Sequence, residues 1–206
     1  MHRPLHSQML SLALGVFLCG PTFAGPVPAG VTPCHIFGWS ASDDPAGLDI
    51  HAVPEIGAEV IGKVQSPFLN PESEVSPLDG WRAEFTVVGY KDHWFLIDDI
   101  QQPGAPYDEA EPGASAAFPG RGWVPADQVM GAYANTQMPV GWLLQAPDVD
   151  APIAGDIERP AGESLSIDGT LRAILACSGN WALTDSMDGT RGWWRGICSN
   201  QATNCS

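Results

Sequence analysis

The side chains that could do chemistry in this chain are a cysteine beside a histidine, three pairs of aspartates and a scatter of histidines. In Cys34-His35 a thiol sits next to a base, and a nucleophilic thiolate needs its base within hydrogen-bond reach. Neighbours on an extended chain point to opposite sides, so Cys34 reads as a half-cystine. Gly38-Trp39-Ser40-Ala41-Ser42 lacks the closing glycine of a nucleophile elbow. Beyond the first 24 residues the histidines are His35, His51 and His93, and their spacing assembles no triad. Asp43-Asp44, Asp98-Asp99 and Asp148-Val149-Asp150 bring carboxylates together as a calcium site would. None follows the twelve-residue calcium loop with its central glycine and terminal glutamate, so they read as solvated acidic turns. A paired acid and base for glycoside hydrolysis would need a deep cleft. The expectation is a chain with no catalytic set, no metal and no cofactor.

The elements that must position these residues are strands. Period-2 apolar runs recur at Ala58 to Val64, Glu84 to Val88, Trp94 to Ile97, Leu171 to Ala176 and Trp181 to Thr184, and no segment sustains a 3.6-residue period. With 23 glycines and 19 prolines, long helices have little room, and an all-β fold follows. Asp168-Gly169-Thr170 and Asp188-Gly189-Thr190 are Asp-Gly hairpin turns. Lys91-Asp92-His93 and Ser178-Gly179-Asn180 precede Trp94 and Trp181 in the same relative place.

The pattern is stated twice. One copy opens at Gly47-Leu48-Asp49-Ile50-His51-Ala52-Val53-Pro54 and closes at Gly120-Arg121-Gly122-Trp123-Val124. The other opens at Gly141-Trp142-Leu143-Leu144-Gln145-Ala146-Pro147 and closes at Arg191-Gly192-Trp193-Trp194-Arg195-Gly196. The first copy is inflated by two insertions, Gln65 to Ala83, an ordered loop, and Asp98 to Pro119, too polar to offset its ordering entropy. The expected organisation is a signal segment at 1–24, a first domain at 35–131, a linker at 132–139 and a second domain at 140–206.

Leu48-Asp49-Ile50-His51 with Val60-Ile61-Gly62, then Phe85-Thr86-Val87-Val88-Gly89, His93-Trp94-Phe95-Leu96-Ile97 and Gly122-Trp123-Val124, resemble the bacterial SH3-like (SH3b) domain in order and type. Ile174-Leu175-Ala176, Asn180-Trp181-Ala182-Leu183 and Gly192-Trp193-Trp194 carry the likeness in the second copy. Together they cover most of residues 35 to 198. The resemblance implies two small SH3-like barrels in tandem, the first with two long loop insertions, and a role as a cell-wall-binding or peptide-binding accessory. It places Trp94, Trp123, Trp181 and Trp193 in barrel cores. Of the other four tryptophans, Trp39, Trp81 and Trp194 are expected to line a groove, Trp194 foremost because adjacent Trp193 and Trp194 on a strand must face opposite ways. With Asp98, Asp99 and Tyr107 they form the candidate ligand-binding set.

Arg3, an apolar run from Met9 to Leu18 and Thr22-Phe23-Ala24 read as an export signal cleaved after Ala24, the run being too short to span a bilayer. Its loss would leave 182 of the 206 residues and, removing Arg3 alone among charged residues, move the net charge from −15 to −16. Such acidity repels nucleic acid and anionic lipid. Cys34, Cys177, Cys198 and Cys205 then form two disulfides in a periplasmic or extracellular setting. Cys198–Cys205 with Cys34–Cys177 is the preferred pairing, and Cys177–Cys198 with Cys34–Cys205 the alternative. The leading functional expectation is an exported, non-enzymatic protein that binds peptidoglycan or a protein or peptide partner. The second is an acidic inhibitor or immunity-type protein that occludes a basic partner.

Overall fold

The computed structural model describes residues 26–66, 82–101, 117–133, 142–156, 171–186, 189–199 and 201. The strands in chain order are β1 (Thr32–Ser40), β2 (Leu48–His51), β3 (Val60–Val64), β4 (Glu84–Lys91), β5 (Trp94–Asp98) and β6 (Gly122–Pro125). A 3₁₀ turn over Ala126–Gln128 leads to β7 (Val129–Met130) and β8 (Ala132–Tyr133). There follow β9 (Trp142–Leu144), β10 (Ile153–Asp156), β11 (Ala173–Ser178), β12 (Trp181–Asp185), β13 (Arg191–Arg195) and β14 (Ile197–Cys198). The fold is all-β, as the period-2 runs require, and every named strand pair is antiparallel.

One sheet runs β3-β2-β6-β5-β4-β1-β7, a second β10-β9-β13-β12-β11, and a third joins β14 to β8. The five-strand order β3-β2-β6-β5-β4 is repeated by β10-β9-β13-β12-β11. Duplication extends to single hydrogen bonds. In the first hairpin the N–H groups of Ala52, Glu55 and Ala58 donate to the carbonyls of Glu59, Val53 and Glu55. In the second, those of Gln145, Asp148 and Ala151 donate to Pro152, Ala146 and Asp148. A register shift falls between Val87 and Gly89 on β4 and between Ile174 and Ala176 on β11, its counterpart. The ion pair Asp98–Arg121 at the end of β5 and β6 recurs as Asp185–Arg191 at the end of β12 and β13. Both Gly-Trp closures place the glycine against the opening strand. A Cβ on Gly122 would lie 2.3 Å from Ile50 Cγ2, and one on Gly192 would lie 2.5 Å from Leu143 Cβ.

Neither large sheet closes on itself, so the barrels implied by the resemblance are open sheets here. The terminal strands are diverted: β7 pairs with β1, and β14 pairs with β8, which follows the first module. Ala132 and Tyr133, assigned to a linker from sequence, are thus a buried strand. The insertion at Gln65 to Ala83 is matched by the comparably long connection 157–172 between β10 and β11, whereas 99–121 has only 186–190 opposite it.

Buried apolar residues of the two modules form one cluster, with Ile36, Phe85, Val87, Phe95 and Val124 from the first and Ile174, Ala182, Trp194 and Ile197 from the second. Tyr133 sits within it, its ring edge-on to Trp194 at 5.0 Å. The Thr184 hydroxyl donates to the Gly192 carbonyl (3.3 Å), and so accepts from the Tyr133 hydroxyl at 3.2 Å. β1 straps the modules together. The His35 N–H donates to the Gly179 carbonyl at 2.7 Å, the Gly179 N–H donates to Pro33 at 2.8 Å, and Cys34 is disulfide-bonded to Cys177 with Cα atoms 5.7 Å apart. The preferred Cys34–Cys177 pairing is therefore present. Cys198 is also a half-cystine; its partner sulfur lies outside the described residues.

Candidate functional site

A groove of about 660 Å³ opens along the seam between the modules. One wall comes from the first module. The β2 end supplies His51, the tight β4–β5 turn His93 and Trp94, and the 3₁₀ turn Asp127 and Gln128. The opposite wall is Ala173, Ile174 and Leu175 of β11, with Ile56 and Gly57 at the lip.

Local geometry fixes the polar groups. The β4–β5 turn takes φ of 48° at Asp92 and 69° at His93, a left-handed pair that closes a two-residue hairpin. It leaves His93 exposed and Trp94 buried. Ala126 donates its N–H to the His93 carbonyl at 2.8 Å, which holds the 3₁₀ turn beside the hairpin and sends Asp127 into solvent. His51 Nδ1 lies 3.2 Å from the Ala58 carbonyl oxygen. A carbonyl only accepts, so Nδ1 carries the hydrogen. The His51 ring stands edge-on to Trp94 at 5.2 Å and 79°. The groove thus offers two imidazoles, a carboxylate and an amide beside apolar side chains.

The β11 wall has a further property. β11 is the end strand of its sheet, hydrogen-bonded to β12 on one side. Its other side is engaged at its two ends, where Leu171 N–H donates to Gly131 and Gly179 meets β1. Ala173 to Leu175, between them, face the groove. A strand edge of this kind is a template for a further extended chain.

The sequence-derived ligand set is dispersed. Trp194 is fully buried and Trp39 is 5% exposed, so neither has a face for a ligand. The reason is the phase of β13: Gly192 and Trp194 face the core under Tyr133, and Trp193, expected there, lies on the other face opposite Leu144 and Leu183. Its counterpart Trp123 likewise leaves the main core, in a separate cluster with Trp94 and Leu96. Trp39 packs with Ala132, Met130 and Cys198 where the terminal strands meet. Asp98 Oδ2 accepts from Arg121 Nη2 at 2.6 Å and Nε at 3.1 Å, which makes it a framework ion pair. Asp99 is exposed at φ 50° and accepts from Gln101 Nε2 at 3.1 Å. Trp81, Tyr107 and Cys205 lie outside the described residues, as do the segments 1–25 and 102–116.

Cys34 is buried and His35 exposed, alternating along β1 as adjacent strand residues must. Asp43 pairs with Arg82, and Asp44 accepts from the Ala46 N–H at 2.8 Å. Sequence reasoning passed over Trp142, which is 45% exposed, and over Asp127, Gln128 and the β11 edge. The one available signal was the Pro-Ala-Asp-Gln run after Gly122-Trp123-Val124, a proline opening a short turn.

Among the described residues no three His, Cys, Asp or Glu side chains gather as a metal site would need, and no helix is long and apolar enough to cross a membrane. Comparison with protein-family models, with curated proteins and with solved structures finds no match to this chain.

Proposed function

We propose that this chain is an exported, non-enzymatic binding protein built from two SH3-like modules, and that the seam groove receives an extended peptide, such as a stem of cell-wall peptidoglycan. The observation that carries the reading is the β11 edge forming one wall of the groove. A peptide laid along Ala173 to Leu175 gains main-chain hydrogen bonds by strand addition, while its alternate side chains meet Trp94 and His51 on the facing wall. Asp127 and Gln128 provide the polar rim that would orient a peptide amine or amide. Export is supported by the Cys34–Cys177 disulfide, which persists in an oxidising compartment.

Sedimentation with purified sacculi tests the wall-binding form. The wild type should pellet with the sacculi, and His51→Leu with Asp127→Asn should leave at least about tenfold more protein free. A wild type that stays wholly in the supernatant contradicts it and directs attention to peptides of envelope proteins.

A further inference from the structure

Eight large apolar side chains stand exposed among the described residues: Phe37, Val53, Ile56, Val60, Ile61, Trp142, Val149 and Ile153. All but Phe37 lie on one element used twice, the opening hairpin of each module, β2–β3 and β9–β10. Scattered single apolar residues are ordinary on a protein surface. Concentration on one repeated element is not.

The matched hydrogen bonds of the two hairpins put Ile56 in the same place as Val149, and the strand registers put Val60 in that of Ile153. Ile56 is 92% exposed and Val149 59%. Each tip is held by three backbone hydrogen bonds, and so is formed before any partner arrives. Acid surrounds the apolar groups: Glu55 and Glu59 flank Ile56, and Asp148 and Asp150 flank Val149. The only Lys or Arg on either hairpin is Lys63, which is paired with Asp49.

We infer that the two hairpins are equivalent docking points for a cationic protein partner, each inserting an aliphatic tip into an apolar pocket ringed by Lys and Arg. Charge selects this occupant. A second copy of a chain carrying −15 would set acid against acid, and an anionic lipid surface would be repelled in the same way. The second hairpin contributes nothing to the seam groove, so its docking point is separate from the peptide site proposed above, whereas the first hairpin also lines that groove through His51, Ile56 and Gly57.

A short alternating Leu/Lys peptide serves as the probe, with a Ser/Lys peptide of equal charge as its control, each titrated calorimetrically into the full chain. The Leu/Lys peptide should bind at two equivalent sites, at least about tenfold more tightly than the Ser/Lys peptide, and more weakly as salt rises. Ile56→Ser and Val149→Ser should each remove one site with no change in melting temperature, because both positions are exposed. Asp127→Asn in the groove should leave both sites intact. Equal binding of the two peptides, binding unmoved by either substitution, or no binding at all would overturn the inference.

Discussion

The two modules share a strand order, a hairpin, a β-bulge and a terminal ion pair, yet only the first carries the groove's polar wall. Two substitutions account for most of the difference. His51 is replaced by Leu144 at the position opposite the Gly-Trp tryptophan, where Leu144 is 5% exposed and merely packs. The 3₁₀ turn that presents Asp127 and Gln128 is replaced by Gly196, at φ 84°, from which the chain passes directly into β14. Conversely, β4 has its outer edge covered by β1, whereas the middle of β11 faces the groove. Each module thus lacks what the other supplies. A duplicated framework has been specialised by its edges.

The strongest joint between the modules is the Cys34–Cys177 disulfide. Replacing Cys34 and Cys177 by alanine removes a bridge spanning 143 residues and should cost about 4 kcal/mol in urea unfolding, with the seam loosened. Because the modules share a core, wild-type unfolding should be a single cooperative transition; two separated transitions would show the modules to be independent bodies.

Next come the paired glycines. Gly122→Ala and Gly192→Ala should each cost about 1–3 kcal/mol, since the added methyl meets Ile50 in one case and Leu143 in the other. Both methyls also approach a backbone carbonyl oxygen, that of His51 at 3.1 Å and that of Leu144 at 3.0 Å, but Leu143 Cβ is fixed by its backbone whereas Ile50 Cγ2 can rotate away. Gly192→Ala should therefore be the worse of the two by thermal melting. Tolerance of alanine at either position would contradict the claim that each glycine makes room for the opening strand of its module.

The asymmetric pair, His51 and Leu144, can be exchanged. His51→Leu installs the residue already accepted by the second module and should leave stability within about 0.5 kcal/mol while weakening peptide binding. Leu144→His, at a buried site without a polar partner in place, should cost about 1–3 kcal/mol by the same measurement.

The smallest effect lies in the terminal ion pairs. Arg191 hydrogen-bonds the Asp185 carboxylate and holds it below the ordinary carboxylate range, against a smaller opposing effect of burial. A carboxyl lowered on folding contributes stability that is present above its unfolded pKa and is lost as pH falls through its folded one. Asp185→Asn should thus lower stability slightly at neutral pH, with the difference from wild type disappearing as pH falls below about 4. The Arg191 side chain is 61% exposed, so added salt should erase much of the difference.

The framework was legible wherever local chemistry speaks alone. Alternation located β3, β4, β5, β11 and β12 to within a few residues, and the Cys34–Cys177 link was the pairing preferred once Cys198 and Cys205, only seven residues apart, were joined to each other. Strand phase was not legible. Trp193 and Trp194 announce opposite faces without saying which is the core, and only the packing of Tyr133 against Trp194 decides. β1 was hidden because Pro33 and Gly38 interrupt an otherwise alternating run. The groove was hidden for a different reason: its two walls lie in different modules, and no local pattern encodes which edge β1 will cover.

Amide hydrogen exchange, with and without a saturating wall peptide, tests the peptide site most directly. Slower exchange is expected at Ala173 to Leu175 on binding, with Thr86 to Val88, their counterparts under β1, unchanged. Bound peptide that leaves Ala173 to Leu175 as exchangeable as before, or that protects the outer edge of β3 or β10 instead, would contradict it.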